Sequence, residues 1–114
     1  MSRLYKIVAA PEWRAAAAMG VFRGSAVDLA DGFIHFSTAG QARETAAKHF
    51  AGQSDLLLVA VDAARLGDAL KWEVSRGGAL FPHLYAPLSL DLVTKVAPLP
   101  LAADGAHDFA GLLA

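Results

Sequence analysis

Leu56-Leu57-Leu58-Val59-Ala60-Val61 is a run of six residues without one polar side chain, bounded by Asp55 and Asp62. Apolar residues at every position, rather than at alternate ones, mark a strand covered on both faces. Upstream, Leu4-Tyr5-Lys6-Ile7-Val8 is β-prone and reads as the first strand. Pro11 stands where a helix tolerates proline in its first turn, and Glu12 suits the positive helix start. The alanine-rich stretch from Glu12 to Met19 therefore reads as a helix, stopped by Gly20 and anchored by Trp13 and Met19. Val21 to Ala30 reads as an irregular connection. Asp31-Gly32 marks a turn, and Phe33-Ile34-His35-Phe36 a strand. Thr38 with Gln41 forms a capping box that opens a helix from about Ala39 to Phe50. Ala42, Ala46 and Phe50 face the core of that helix, and Glu44 and Lys48 pair on its wet side.

Downstream of the apolar run the chain turns to strands. Ala63 to Ala69 is a short turn or helical piece, and Leu70-Lys71-Trp72-Glu73-Val74 alternates as a strand. Gly77-Gly78 breaks the chain. Phe81-Pro82-His83-Leu84-Tyr85 is extended, with Pro82 confining it to an edge, a bulge or a loop. Leu92-Val93-Thr94-Lys95-Val96 is the last strand, and the tail over residues 101–114 is expected to pack weakly. With two helices early and strands late, the order predicts an α+β fold rather than a doubly wound sheet.

A chain of 114 residues corresponds to one domain, 1–114. The hydrophobic fraction is 55%, and although 25 residues are alanine, enough larger apolar side chains remain for one core. Ten Lys and Arg face eleven Asp and Glu, so no basic excess is present to grip nucleic acid. The absence of cysteine excludes disulfide scaffolds, thiolate zinc sites and cysteine nucleophiles. No apolar run approaches the ~20 residues of a membrane-spanning helix. Met1-Ser2-Arg3-Leu4-Tyr5-Lys6 lacks the pattern of a secretory signal, which makes a cytoplasmic location the expectation. Phosphate-loop, Gly-x-Gly-x-x-Gly and nucleophile-elbow motifs are also missing.

Three segments can hold chemistry. In Asp31-Gly32-Phe33-Ile34-His35-Phe36-Ser37-Thr38, strand alternation puts Phe33, His35 and Ser37 on one face, and the helix start at Thr38 offers free N–H groups. A backbone-bonded histidine with two capping hydroxyls is the plain structural alternative. In Lys71-Trp72-Glu73, Lys71 and Glu73 share a face, so Glu73 is either a solvated partner of Lys71 or a carboxylate facing a cleft. In Phe81-Pro82-His83-Leu84-Tyr85, Phe81, His83 and Tyr85 share a face that either stacks a planar ligand or rims the core. His49 and His107 are assigned no role.

Leu4-Tyr5, Trp13, the segment from Asp31 to Thr38, Trp72-Glu73 and the segment from Phe81 to Tyr85 together resemble domain-of-unknown-function family 952 (DUF952), small bacterial proteins. The resemblance runs from Leu4 to Pro98. Through the grouping of that family with ADP-ribosyltransferase-like folds, it implies a small, bent and split antiparallel-rich sheet around a cleft in which relatives bind NAD. By the same resemblance Lys6 stands where relatives hold the NAD ribose, often with His. His35 and Ser37 match a second polar position on the next strand, and Glu73 or His83 fills a third that polarises the ribose or positions an acceptor. Tyr85 stacks on a ring, and Ala86 replaces the glycine usual after it. The implied site has His35, Glu73 and His83 as catalytic residues, Lys6, Ser37, Thr38 and Tyr85 as cofactor-binding residues, and no metal. The implied ligand is nucleotide-like, with NAD as the cofactor and transfer or hydrolysis at its ribose carbon as the chemistry. Fold alone does not fix function. One competing expectation is a non-catalytic ligand- or protein-binding module, its cleft shallow or filled by Trp72 and Phe81. Another is a metal-dependent hydrolase in which His35, Glu73 and His83 converge on one ion.

Overall fold

A computed structural model describes residues 3–113; Met1 and Ser2 of the leader reading and Ala114 of the tail lie outside the described residues. In chain order its elements are β1 (Arg3–Ala9), α1 (Ala10–Met19), β2 (Val21–Phe22), α2 (Ala26–Asp31), β3 (Ile34–His35), α3 (Ala39–His49), β4 (Leu56–Asp62), β5 (Leu70–Val74), β6 (Leu80–Leu84), β7 (Leu88–Ser89) and β8 (Val93–Leu99). The fold is α+β, with strands in three separate sheets of order β1-β4-β8, β2-β7 and β3-β6-β5. Every pairing is antiparallel.

The apolar run becomes β4, the middle strand of the first sheet, which is why both of its faces are oily. On one face Leu56, Leu58 and Ala60 pack with Tyr5, Ile7, Ala42, Ala46 and Leu99. On the other, Val59 and Val61 pack with Leu4, Val8, Trp13, Phe22, Ile34 and Leu84. One strand thus divides two cores, and α3 covers the first while α1 covers the second.

α1 keeps Pro11 in its first turn and ends at Gly20, whose φ of 76° needs a residue without Cβ. Trp13 is buried against Phe22, with ring centroids 5.6 Å apart. Met19, expected as a second anchor, is exposed instead. The buried stripe is Ala10, Trp13 and Ala16, and each three-residue step falls about 60° short of a full turn, so the stripe has rotated off the core by Met19.

The connection read as irregular contains β2 and a third helix, α2. Its six residues are too few to show a period, but Ser25 and Asp28 form a capping box at its start. In α3 the expected box of Thr38 and Gln41 is present, with the Thr38 N–H donating to Gln41 Oε1 at 3.1 Å. Ala42 and Ala46 are buried, and Lys48 lies 3.6 Å from Glu44.

β6 is a central strand, between β3 and β5, although it contains Pro82. The proline is accommodated because its ring nitrogen faces the end of the short β3 ladder. Phe36 N–H donates to Pro82 C=O at 3.0 Å, and the return bond that a proline cannot make is where that ladder stops. The tail is also better anchored than its composition predicts. Leu101 bridges to His107, and Phe109 is buried in the core that contains Ala42 and Leu99. No helix among the described residues is long and apolar enough to cross a membrane.

Candidate functional site

The sheets of β1 and β3 meet at a backbone cross-link. Tyr5 and Ser37 exchange N–H···O=C bonds of 2.8 Å in both directions, on the edge of β1 away from β4. That link brings the chain after β3 beside β1, so His35 and Ser37 come next to Lys6. The β3–β6 register then sets His35 directly opposite His83. The two imidazole centroids are 5.5 Å apart, at an interplanar angle of 69°. Phe33 touches both, stacked on His83 at 4.1 Å and tilted against His35 at 4.5 Å.

Each imidazole is backed by a carboxylate. Asp28, 1% exposed, is the hub of the first set. Its Oδ1 accepts from Lys6 Nζ at 2.9 Å, from the His35 backbone N–H at 3.1 Å, and faces His35 Nδ1 at 2.6 Å. Its Oδ2 accepts from Lys6 Nζ at 2.8 Å and from the backbone N–H and hydroxyl of Ser25 at 2.8 and 3.1 Å. Burial disfavours the charge on Asp28, but the His35 hydrogen bond and the Lys6 ammonium outweigh it and hold the carboxyl well below its usual range. Burial likewise pulls the Lys6 ammonium below its ordinary pKa, against the attraction of Asp28. The second nitrogen of His35 lies 2.9 Å from Asp31 Oδ2. Only a ring with N–H at both nitrogens donates to both carboxylates.

His83 is organised differently. Its Nδ1 lies 2.8 Å from Glu73 Oε1, which also accepts from the Tyr85 hydroxyl at 2.6 Å. These bonds, Tyr85 first and His83 second, hold the Glu73 carboxyl below its usual pKa and raise that of Tyr85. With Nδ1–H directed at a carboxylate, the neutral ring carries its lone pair on Nε2. That nitrogen has no hydrogen-bond partner among the described residues.

A cavity of about 530 Å³ opens in front of this cluster. Its walls include the edge of β1 from Tyr5 to Ala9, the α3 side chains Thr45 and His49 with Phe50, and His35, Ser37, Phe81 and His83. Ser37 Oγ lies 2.9 Å from Thr45 Oγ1, which itself donates to Gln41 C=O at 3.1 Å. Either hydroxyl can donate in the Ser37–Thr45 pair.

The structure thus gathers most of the residues singled out from sequence. Lys6, His35, Ser37 and His83 line the cavity. Glu73 and Tyr85 stand behind His83 and off its wall, and β5, which bears Glu73, is an edge strand. Tyr85 tilts against Phe33 at 5.2 Å, donates its hydroxyl to Glu73 and remains 46% exposed. Thr38 caps α3 and does not reach the cavity. Trp72 does not fill the cavity, while Phe81 forms part of its wall. Among the described residues no three His, Asp or Glu side chains are placed to hold one metal ion. His35 and Glu73 belong to separate hydrogen-bond sets.

The residue missed by sequence reading is Asp28. Its signal was the Ser25-Ala26-Val27-Asp28 spacing of a capping box. His49, given no role, borders the cavity. Gly24 makes the hub possible: at φ +124° a Cβ there would stand 2.7 Å from Asp28 Cβ. Gly24→Ala is expected to cost about 1–3 kcal/mol through backbone strain and displacement of Asp28, read as a lower Tm in calorimetry than that of a Gly52→Ala control, which carries the strain of a positive φ without the clash.

Residues 7–96 match a family model described as protein of unknown function (DUF952). The chain is also similar to protein CC0527 from Caulobacter crescentus. An X-ray structure of that protein is 58% identical over 98% of both chains, with a TM-score of 0.94. Its solution NMR structure is 59% identical over 100% of this chain and 98% of that one, with a TM-score of 0.89. No curated protein matches.

Proposed function

The chain belongs to the DUF952 family of proteins of unknown function, and from that premise we propose that its cleft binds a nucleotide-like molecule and performs acid–base chemistry on it. The observation that carries this reading is the pair of carboxylate-backed imidazoles at the wall of a largely apolar cavity. His83, with Nδ1 directed at Glu73 and Nε2 unpartnered, is the base. His35, held between Asp28 and Asp31, is the fixed ring beside it. The cavity volume falls in the range of small-molecule and cofactor sites.

NAD is the ligand we favour. The ADP-ribosyltransferase-like grouping suggests it, and the open edge of β1 supports it. Tyr5 turns its N–H and C=O away from β4 to meet Ser37, so two residues on, those of Ile7 face the same edge and the cavity. A donor and an acceptor side by side on a strand edge fit a carboxamide. In hydrolysis, His83 Nε2 takes a proton from water as the water oxygen bonds to the ribose carbon, and nicotinamide departs neutral with the electron pair of the broken C–N bond. In transfer, an acceptor hydroxyl replaces the water. Lys6 is bonded to Asp28, so it acts on the ligand by its field rather than as a free hand.

Titration calorimetry with NAD and with ADP-ribose, alongside chromatography for released nicotinamide, tests the proposal. Wild type is expected to bind both, and His35→Ala to bind at least ~10-fold more weakly, a difference of about 1.4 kcal/mol. Binding without nicotinamide release in any buffer would leave a non-catalytic binding module. Failure of wild type to bind either nucleotide would sink the reading.

A further inference from the structure

We propose that two copies of this chain associate edge to edge through β5, as antiparallel strands in a single register. β5 is the outer strand of its sheet. The bonds Tyr85 N–H to Ala69 C=O and Ser75 N–H to Ala79 C=O fix which of its residues face β6. By alternation Lys71 and Glu73 bond inward, and Leu70, Trp72 and Val74 turn their N–H and C=O groups outward. Nothing among the described residues pairs with that edge. No proline guards it, and exposed apolar side chains flank it: Trp72 is 45% exposed, Val74 70% and the neighbouring Leu80 52%. Such an edge is a template for another strand.

The sequence of the edge selects a second copy as the occupant. Leu70-Lys71-Trp72-Glu73-Val74 is complementary to itself when reversed. Centred on Trp72, antiparallel pairing sets Trp72 against Trp72, Lys71 against Glu73, and Leu70 against Val74. This register also satisfies the backbone, because residues 70, 72 and 74 are the ones whose groups point outward. The two neighbouring registers that keep outward groups face to face set Lys71 against Lys71 or Glu73 against Glu73, and like charges directly opposite are destabilising. The charges are available for the pairing. Lys71 Nζ and Glu73 Oε2 make no hydrogen bond or close ion pair among the described residues, since both bonds to Glu73 use Oε1, and within one copy Lys71 acts on Glu73 only through its field. The contact is isologous, so it closes at two copies and does not propagate.

Sedimentation velocity and cysteine cross-linking test it on the full chain. Wild type is expected to be a dimer at about 100 µM that dissociates on dilution, as a small interface requires. Lys71→Glu is expected to weaken association at least ~10-fold, about 1.4 kcal/mol, and to leave circular dichroism unchanged. The chain has no cysteine, so a single introduced thiol reports the register. Trp72 opposes itself across a hydrogen-bonded pair at about 5.5 Å between Cα atoms, within disulfide reach. Trp72→Cys should therefore oxidise to a covalent dimer. Val74→Cys should not, because its counterpart lies four residues along, about 14 Å away. A wild type that stays monomeric at ~1 mM, association indifferent to Lys71→Glu, or equally fast cross-linking of Val74→Cys would each overturn the proposal.

Discussion

Asp28→Ala is expected to lower the unfolding free energy by about 3–5 kcal/mol. Removing one member of a buried ion pair leaves the other charged and unpaired, and Lys6 is 5% exposed. The same change strips partners from the Ser25 N–H, the His35 N–H and His35 Nδ1. Against a total stability of about 5–15 kcal/mol for a small domain, such a loss is severe. Lys6→Met should cost less, because Asp28 then retains its donors from Ser25 and His35. The double variant Lys6→Met/Asp28→Asn should recover part of the loss, since no lone charge remains buried. Urea unfolding of the three variants checks this order. Equal losses for Lys6→Met and Asp28→Ala would show that the carboxylate is not the hub. The pH dependence follows from the same group. The folded-state pKa of Asp28 is depressed, so its contribution is fully present above the unfolded carboxyl value, ~3.9. The contribution is lost as pH falls through the folded value, where the unfolded chain binds more protons. Wild type should lose stability below about pH 4, and Asp28→Asn should show a shallower acid limb.

Much of the fold was legible because it rests on local signals. The unbroken apolar run of β4 announced a strand covered on both faces, and Thr38 with Gln41 announced the start of α3. α2 was not legible as a helix, since six residues cannot display a 3.6-residue period, and the position of Pro82 depended on where another strand ended. For the site, alternation placed His35 with Ser37 and His83 with Tyr85, each within its own segment. That the two histidines face one another depends on the register of β3 with β6, a non-local fact. The pairing of Lys6 with Asp28 spans 22 residues, beyond the reach of any local pattern. Aromatic spacing suggested that Tyr85 meets a ligand. Its ring touches Phe33 at a tilt and stays partly exposed, and its hydroxyl goes to Glu73, a partner set by the register of β5 with β6.

Glu73→Gln should leave the fold and ligand affinity nearly intact while lowering turnover by ~10²–10⁴-fold, the span attributed to a positioned general base. The reason is the charge that backs His83. Glu73 accepts at Oε1 from two donors, the Tyr85 hydroxyl and His83 Nδ1–H, so the ring lone pair is confined to Nε2 on the cavity side. A glutamine amide oxygen in the place of Oε1 still accepts from both donors, but it brings no negative charge to stabilise the imidazolium formed when Nε2 takes a proton from water. Because Glu73 lies on the exposed β5 and off the cavity wall, the substitution changes neither the cavity shape nor a ligand contact. Nitrogen chemical shifts of His83 separate this from a mere loss of packing. Wild type and Glu73→Gln should both show a protonated Nδ1 and a bare Nε2, so that a fall in turnover reports the lost charge. Tyr85→Phe supplies the gradation: it removes one of two donors to the same oxygen, keeps the tautomer, and should lower turnover by about 10-fold or less. A wild-type ring protonated at Nε2 at neutral pH, or a Glu73→Gln variant with undiminished turnover, would take the base away from His83 and leave the cavity as a binding site alone.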